Sequence, residues 1–174
     1  MISTSNLFLI GPMGSGKTAV GRELARQLGR DFLDSDAEIE RRTGVDIPFI
    51  FEKEGESGFR SRETQVIEEL SARQNVVLAT GGGAVLAEQN RRALASRGTV
   101  IYLEASVRQQ LARTRRSQNR PLLQTADPRA RLESLMAQRE PLYRHLADLI
   151  ISTDGRKVRQ VATEIRALLE GAGE

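Results

Sequence analysis

The sequence predicts an α/β protein, three layers deep (α-β-α), with a central parallel sheet, and three observations predict it. Short apolar runs alternate with amphipathic stretches. A glycine-rich loop joins the first apolar run to the first amphipathic one. Asp127-Pro128 opens a further amphipathic segment with a helix-start signal, a side chain that caps exposed N–H groups followed by a proline where its missing donor costs nothing.

In chain order the apolar runs are Leu7 to Ile10, Phe32-Leu33, Val76 to Ala79, Val100 to Leu103 and Leu149 to Ser152. Between them lie Ala19 to Leu28, two helical segments reaching Arg73, a helix from about Ser106, another from Pro128 and a last one after Asp154. That rhythm is βαβ and implies strands covered on both faces. Val20, Leu24 and Leu28 share a helical face, as do Val158, Val161, Ile165, Leu168 and Leu169, and both faces are expected to be core. The polar, arginine-rich stretch Arg115 to Ala126 reads as a loop of the length that often covers a site. No repeat or linker interrupts residues 1–174, which read as a single domain.

Composition removes several classes of function. There is no cysteine, so disulfides, thiolate metal sites and a cysteine nucleophile are out, and a reducing cytoplasm fits. The N-terminus has no basic stretch and Leu7 to Ile10 is too short for a signal peptide or a membrane span. A pI near 9.8 raises nucleic acid as a partner, yet the net charge is only +3 and the arginines are scattered among 23 acids, so none is expected. Arginine in that abundance suits small anionic substrates, because its planar fork matches carboxylate and phosphate.

Gly11-Pro12-Met13-Gly14-Ser15-Gly16-Lys17-Thr18 satisfies the P-loop pattern, directly after a strand and directly before a helix. Backbone N–H groups from Gly14 through Ala19, at the positive end of that helix, are expected to cradle the phosphates of ATP. Lys17 would neutralise the β- and γ-phosphates, and the Thr18 hydroxyl would ligate Mg²⁺. Guanine-reading features are missing: no Asp has Gly three residues later and no Asn-Lys pair occurs. A compact kinase therefore fits better than a switch GTPase.

Five further motifs follow the P-loop and its continuation Gly21-x-x-Leu24-Ala25. They are Asp34-Ser35-Asp36 with Ile39-Glu40, Gly55-Glu56-x-x-Phe59-Arg60-x-x-Glu63, Gly81-Gly82-Gly83, Arg120-Pro121-Leu122-Leu123 and Arg139-x-Pro141-Leu142-Tyr143. In this order the chain resembles the shikimate kinases, P-loop small-molecule kinases related to the nucleoside monophosphate kinases, from about Leu7 to Leu169. The resemblance implies a cytoplasmic, monomeric enzyme of aromatic amino-acid biosynthesis with a mobile lid, which transfers the γ-phosphoryl of ATP to the 3-hydroxyl of shikimate. It also implies one Mg²⁺, a substrate-binding region over residues 33–62 and a lid over 115–126.

Asp34 and Asp36 follow Phe32-Leu33 at the carboxyl end of a strand, where two residues apart on an extended chain they point the same way. By resemblance Asp34 assists the metal and Asp36 binds the acceptor hydroxyl and takes its proton; Asp36 also reads as a cap for the helix that follows. By resemblance Arg60 and Arg139 hold the substrate carboxylate, Gly81, Gly82 and Gly83 meet its hydroxyls, and Arg120 in the lid bears on the transferring phosphoryl group. Arg113 and Arg156 match positions near the adenine. The strand before the glycines lacks the acid of a Walker B motif, which leaves the metal to Asp34. His145, the single histidine, reads as an ordinary helix residue. The rival readings are another small-acid kinase such as a gluconate kinase, and a nucleotide-binding regulatory module without turnover.

Overall fold

A computed structural model describes residues 5–115 and 125–171. Five parallel strands, β1 (Asn6–Ile10), β2 (Asp31–Asp34), β3 (Val76–Ala79), β4 (Gly98–Glu104) and β5 (Leu149–Ser152), form one sheet in the order β2-β3-β1-β4-β5. The helices are α1 (Lys17–Leu28), α2 (Ser35–Thr43), α3 (Ile47–Ser71), α4 (Glu88–Arg97), α5 (Val107–Thr114), α6 (Pro128–Leu146) and α7 (Val158–Gly171), with a 3₁₀ turn at Ala84–Leu86. The α/β architecture expected from the apolar rhythm is the one observed.

β1 shows why the sheet must be covered on both sides. Its alternate side chains go to two separate cores. Phe8 and Ile10 pack with Ile39, Phe59, Ile67, Leu94, Tyr102 and Tyr143, under α2, α3, α4 and α6. Leu7 and Leu9 pack with Val20, Leu24, Val161 and Ile165, under α1 and α7.

Three elements depart from expectation. On α7 the buried stripe is Val161, Ala162, Ile165 and Leu169, whereas Leu168 stands 42% and Val158 37% exposed. Leu168 lies at the margin of the stripe, and Val158 is in the first turn beside Glu23 and Arg26 of α1. Helix α4 has no apolar periodicity to announce it, since it buries Asn90, Ala93 and Leu94 alone. Helix α3 bends at Gly55, whose φ of 74° and ψ of 179° are open to glycine and strained for other residues. Across that bend Arg62 grips the Glu54 carboxylate with three hydrogen bonds of 2.8–2.9 Å. Of the expected lid, residues 116–124 lie outside the described part of the chain, Arg120 among them.

Candidate active site

Every strand runs parallel, so the carboxyl ends of β1, β2 and β3 open on one edge, and the candidate residues gather there. β1 ends at Ile10, the loop turns with Ser15 N–H donating to the Pro12 carbonyl at 3.2 Å, and α1 begins at Lys17. Gly16 precedes that helix with φ 90° and supplies no side-chain cap, which leaves the first N–H groups of α1 facing the loop's concavity. Ser15 is fully buried and its Oγ has no hydrogen-bond partner. Lys17 is 9% exposed, and its ammonium donates to the Gly11 and Pro12 carbonyls at 2.7 and 2.9 Å. Thr18 and Ala19 stand exposed at the next two positions.

The Thr18 hydroxyl donates to Asp34 Oδ2 at 2.8 Å, which joins the P-loop to the end of β2. The other Asp34 oxygen accepts from the N–H groups of Asp36 and Ala37 at 2.9 and 3.1 Å. Asp34, not Asp36, is therefore the cap of α2, and the extended reading of the Asp-Ser-Asp motif is corrected. The capping bonds start the helix at Ser35, so Asp36 sits in its first turn and leaves the strand direction behind. Thr18 and Asp34 offer hard oxygen donors of the kind Mg²⁺ takes. Among the described residues no group of three or more His, Cys, Asp or Glu side chains converges on a metal position.

Asp36 nevertheless reaches the acceptor side. A Cβ on Gly81 would lie 2.8 Å from Asp36 Oδ1 and 3.0 Å from Glu63 Oε2, and one on Gly83 would lie 2.7 Å from an Arg60 guanidinium nitrogen. One on Gly82 would come within 3.4 Å of Arg139. The three glycines thus let Asp36, Arg60, Glu63 and Arg139 close around one turn at the end of β3. Ser35 helps to hold it, its hydroxyl accepting from Gly81 N–H at 3.3 Å. Thr80, directly after β3 where a Walker B acid would stand, donates its hydroxyl to the Leu9 carbonyl at 2.9 Å.

The electrostatics here are set by burial. Glu63 is 1% exposed and Arg139 3%. Arg60 donates to Glu63 Oε1 at 3.0 Å and to Glu56 at 3.3 Å. Desolvation pushes the Glu63 carboxyl up to about 7; the Arg60 charge opposes this and Asp36 adds to it. Desolvation also lowers Arg139. Among the described residues, Arg60 Nε, Arg139 Nε and Glu63 Oε2 are buried here without a hydrogen-bond partner. Two cationic donors and one acceptor around a small concavity match an anion that also carries hydroxyls.

On the other side of the P-loop, Arg113 of α5 donates to the Gly14 carbonyl at 3.2 Å. The start of α5 is tied to the loop after β5 by Ser106 N–H to Asp154 and by Gln109 to Thr153. Arg156, in that loop, donates to the Ser152 carbonyl at 3.0 Å and pairs with Glu164 of α7. Glu63 received no role from the sequence, although its signal was there: an acid in the apolar stripe Phe59, Val66, Ile67 and Leu70, three residues after an arginine.

The family model described as shikimate kinase matches residues 13–170. The chain belongs to the shikimate kinase family. It is 57% identical to a shikimate kinase of Methylococcus capsulatus over 99% of this chain and 97% of that one. The solved shikimate kinase from Acinetobacter baumannii in complex with shikimate superposes with a TM-score of 0.96 at 53% identity, covering 98% and 96% of the two chains. The rival small-acid reading fares differently: a gluconokinase from Sinorhizobium meliloti covers 97% of this chain at a TM-score of 0.59 but 14% identity, which is a shared fold alone. Members of the shikimate kinase family are ATP-dependent phosphotransferases, so a regulatory module without turnover is set aside.

Proposed function

We propose that this chain transfers the γ-phosphoryl group of ATP to the 3-hydroxyl of shikimate, as a monomer in the cytoplasm. The observation that carries the reading is the set of partnerless buried atoms, Arg60 Nε, Arg139 Nε and Glu63 Oε2, around the glycine turn beside the P-loop. The two guanidinium groups take the substrate carboxylate, and the turn at Gly81, Gly82 and Gly83 admits the ring against main chain. Asp36 accepts a hydrogen bond from the attacking hydroxyl and takes its proton as the new O–P bond forms and the bond from Pγ to the bridging β–γ oxygen breaks.

The N–H groups from Gly14 to Ala19 and the Ser15 hydroxyl hold the phosphates, with Lys17 against the β- and γ-oxygens. Thr18 and Asp34 would hold Mg²⁺, which supplies charge neutralisation at the polyphosphate. Arg113 and Arg156 flank the adenine, Arg156 after leaving Glu164. Arg120, outside the described residues, is proposed from its motif to close over the transferring group with the 115–126 segment, while residues 33–62 bind the acceptor.

A coupled ADP-release assay tests the reading, with MgATP and shikimate, gluconate or no acceptor, alongside Asp36→Asn on shikimate. Turnover with shikimate alone, lost in the variant, is expected. Equal turnover with gluconate, or an undiminished variant, overturns it.

A further inference from the structure

We infer that Tyr143 is a positioning residue for the acceptor carboxylate, its hydroxyl fixing the Arg139 guanidinium to the main chain of the glycine turn. This rests on the acceptor reading above. Tyr143 is fully buried in the core beneath the site. Its hydroxyl donates to the Gly82 carbonyl at 2.5 Å, and an Arg139 guanidinium nitrogen lies against the same glycine, 3.4 Å from where a Cβ on Gly82 would stand. A hydroxyl is both donor and acceptor, so the oxygen that donates to the carbonyl keeps lone pairs to offer the guanidinium. Burial pushes Tyr143 up to about 12, which keeps the donating proton in place.

The arrangement answers a local weakness of α6. Arg139 and Tyr143 are four residues apart on one helical face, and Pro141 lies between them, where it removes a backbone hydrogen bond and crowds the preceding turn. Arg139 therefore stands on a turn whose own ladder is incomplete. The Tyr143 hydroxyl ties that turn to Gly82. The ring is pinned in turn: it stacks on Tyr102 of β4 with centroids 5.0 Å apart and planes 25° apart. Tyr102 donates its hydroxyl to Glu140 of the same helix, and Glu140 pairs with Arg144. Arg139 keeps a partnerless Nε for the substrate.

Tyr143→Phe keeps the ring and its stack and removes the one oxygen. Steady-state kinetics should show the shikimate KM raised about tenfold with the ATP KM unchanged, and in an Arg139→Ala background the same change should add nothing. A shikimate KM within about twofold of the parent, an equal rise in the ATP KM, or full additivity with Arg139→Ala overturns the inference. A second measurement spares Tyr143. The chain has two tyrosines and no tryptophan, so in Tyr102→Phe the near-ultraviolet spectrum reports Tyr143 alone. Saturating shikimate should perturb that spectrum, and an unmoved spectrum counts against the role. A parent chain that turns over no shikimate overturns the acceptor reading and this inference together, whereas an unaffected Tyr143→Phe beside an active parent overturns this inference only.

Discussion

Thr18 Oγ1 lies 2.8 Å from Asp34 Oδ2, so the residue after the P-loop lysine and the last residue of β2 are in direct contact, while the second Asp34 oxygen caps α2. Asp34→Asn keeps an oxygen for the cap but loses the charge beside Thr18. The Mg²⁺ concentration needed for half-maximal velocity should rise by about ten- to a hundredfold. A magnesium titration at saturating ATP and shikimate that overlays the parent would remove Asp34 from the metal role.

Arg60 both faces the acceptor and pairs with Glu63. Arg60→Ala removes a charge-assisted partner, a loss of about 1.5–3 kcal/mol, and so should raise the shikimate KM by roughly ten- to a hundredfold while the ATP KM stays near the parent value. Initial-rate kinetics against each substrate check the split. An unchanged shikimate KM would take Arg60 out of the site.

Glu63 gives the fold a pH dependence opposite in sign to that of an ordinary paired carboxylate. Its folded value, about 7, lies above the ordinary carboxyl value of 4.5 that the unfolded chain approaches. Between those values the native state holds more proton than the unfolded one, so this group's contribution is fully favourable below pH 4.5 and is lost as pH rises through 7. Glu63→Gln mimics the protonated form. Thermal unfolding of parent and variant should therefore diverge from about pH 5 to pH 8, the parent falling relative to the variant. Parallel curves across that range would refute the assignment.

A methyl group on Gly83 would lie 2.7 Å from an Arg60 nitrogen. Gly83→Ala should displace that guanidinium and raise the shikimate KM with little effect on nucleotide binding. Because the clash is with the far end of a side chain, the thermal midpoint should move little. Isothermal titration with shikimate and with ATP, beside thermal unfolding, separates the two effects.

The elements and residues that sequence made legible share a property: their signals are contiguous. The P-loop lies on one stretch bounded by a strand and a helix, and β1, β3, β4 and β5 are uninterrupted apolar runs. Asp36 shows where this stops, since its direction depends on a capping bond made by Asp34 that turns the chain into helix at Ser35. Glu63 shows it again, because an acid next to an arginine reads as a surface pair until packing places it 1% exposed. Leu168 falls in the core stripe of α7 by spacing, yet it stands 42% exposed at the margin of that stripe. Tyr143 carried a motif but no role, and its role depends on Gly82, far away in sequence.

The strand order has a consequence for how specificity can be rebuilt. With β1 in the middle, β2 and β3 lie to one side and β4 and β5 to the other, so the groups proposed for acceptor and nucleotide base are sorted onto opposite flanks of the phosphate loop. Exchanging the continuous segment from β2 to α4 would replace Asp36, Arg60, Glu63 and the three glycines without touching Lys17 or Arg113. Arg139 breaks that modularity. It reaches the acceptor flank from α6, later in the chain, so a graft that changes the small molecule must carry α6 as a second, separate piece.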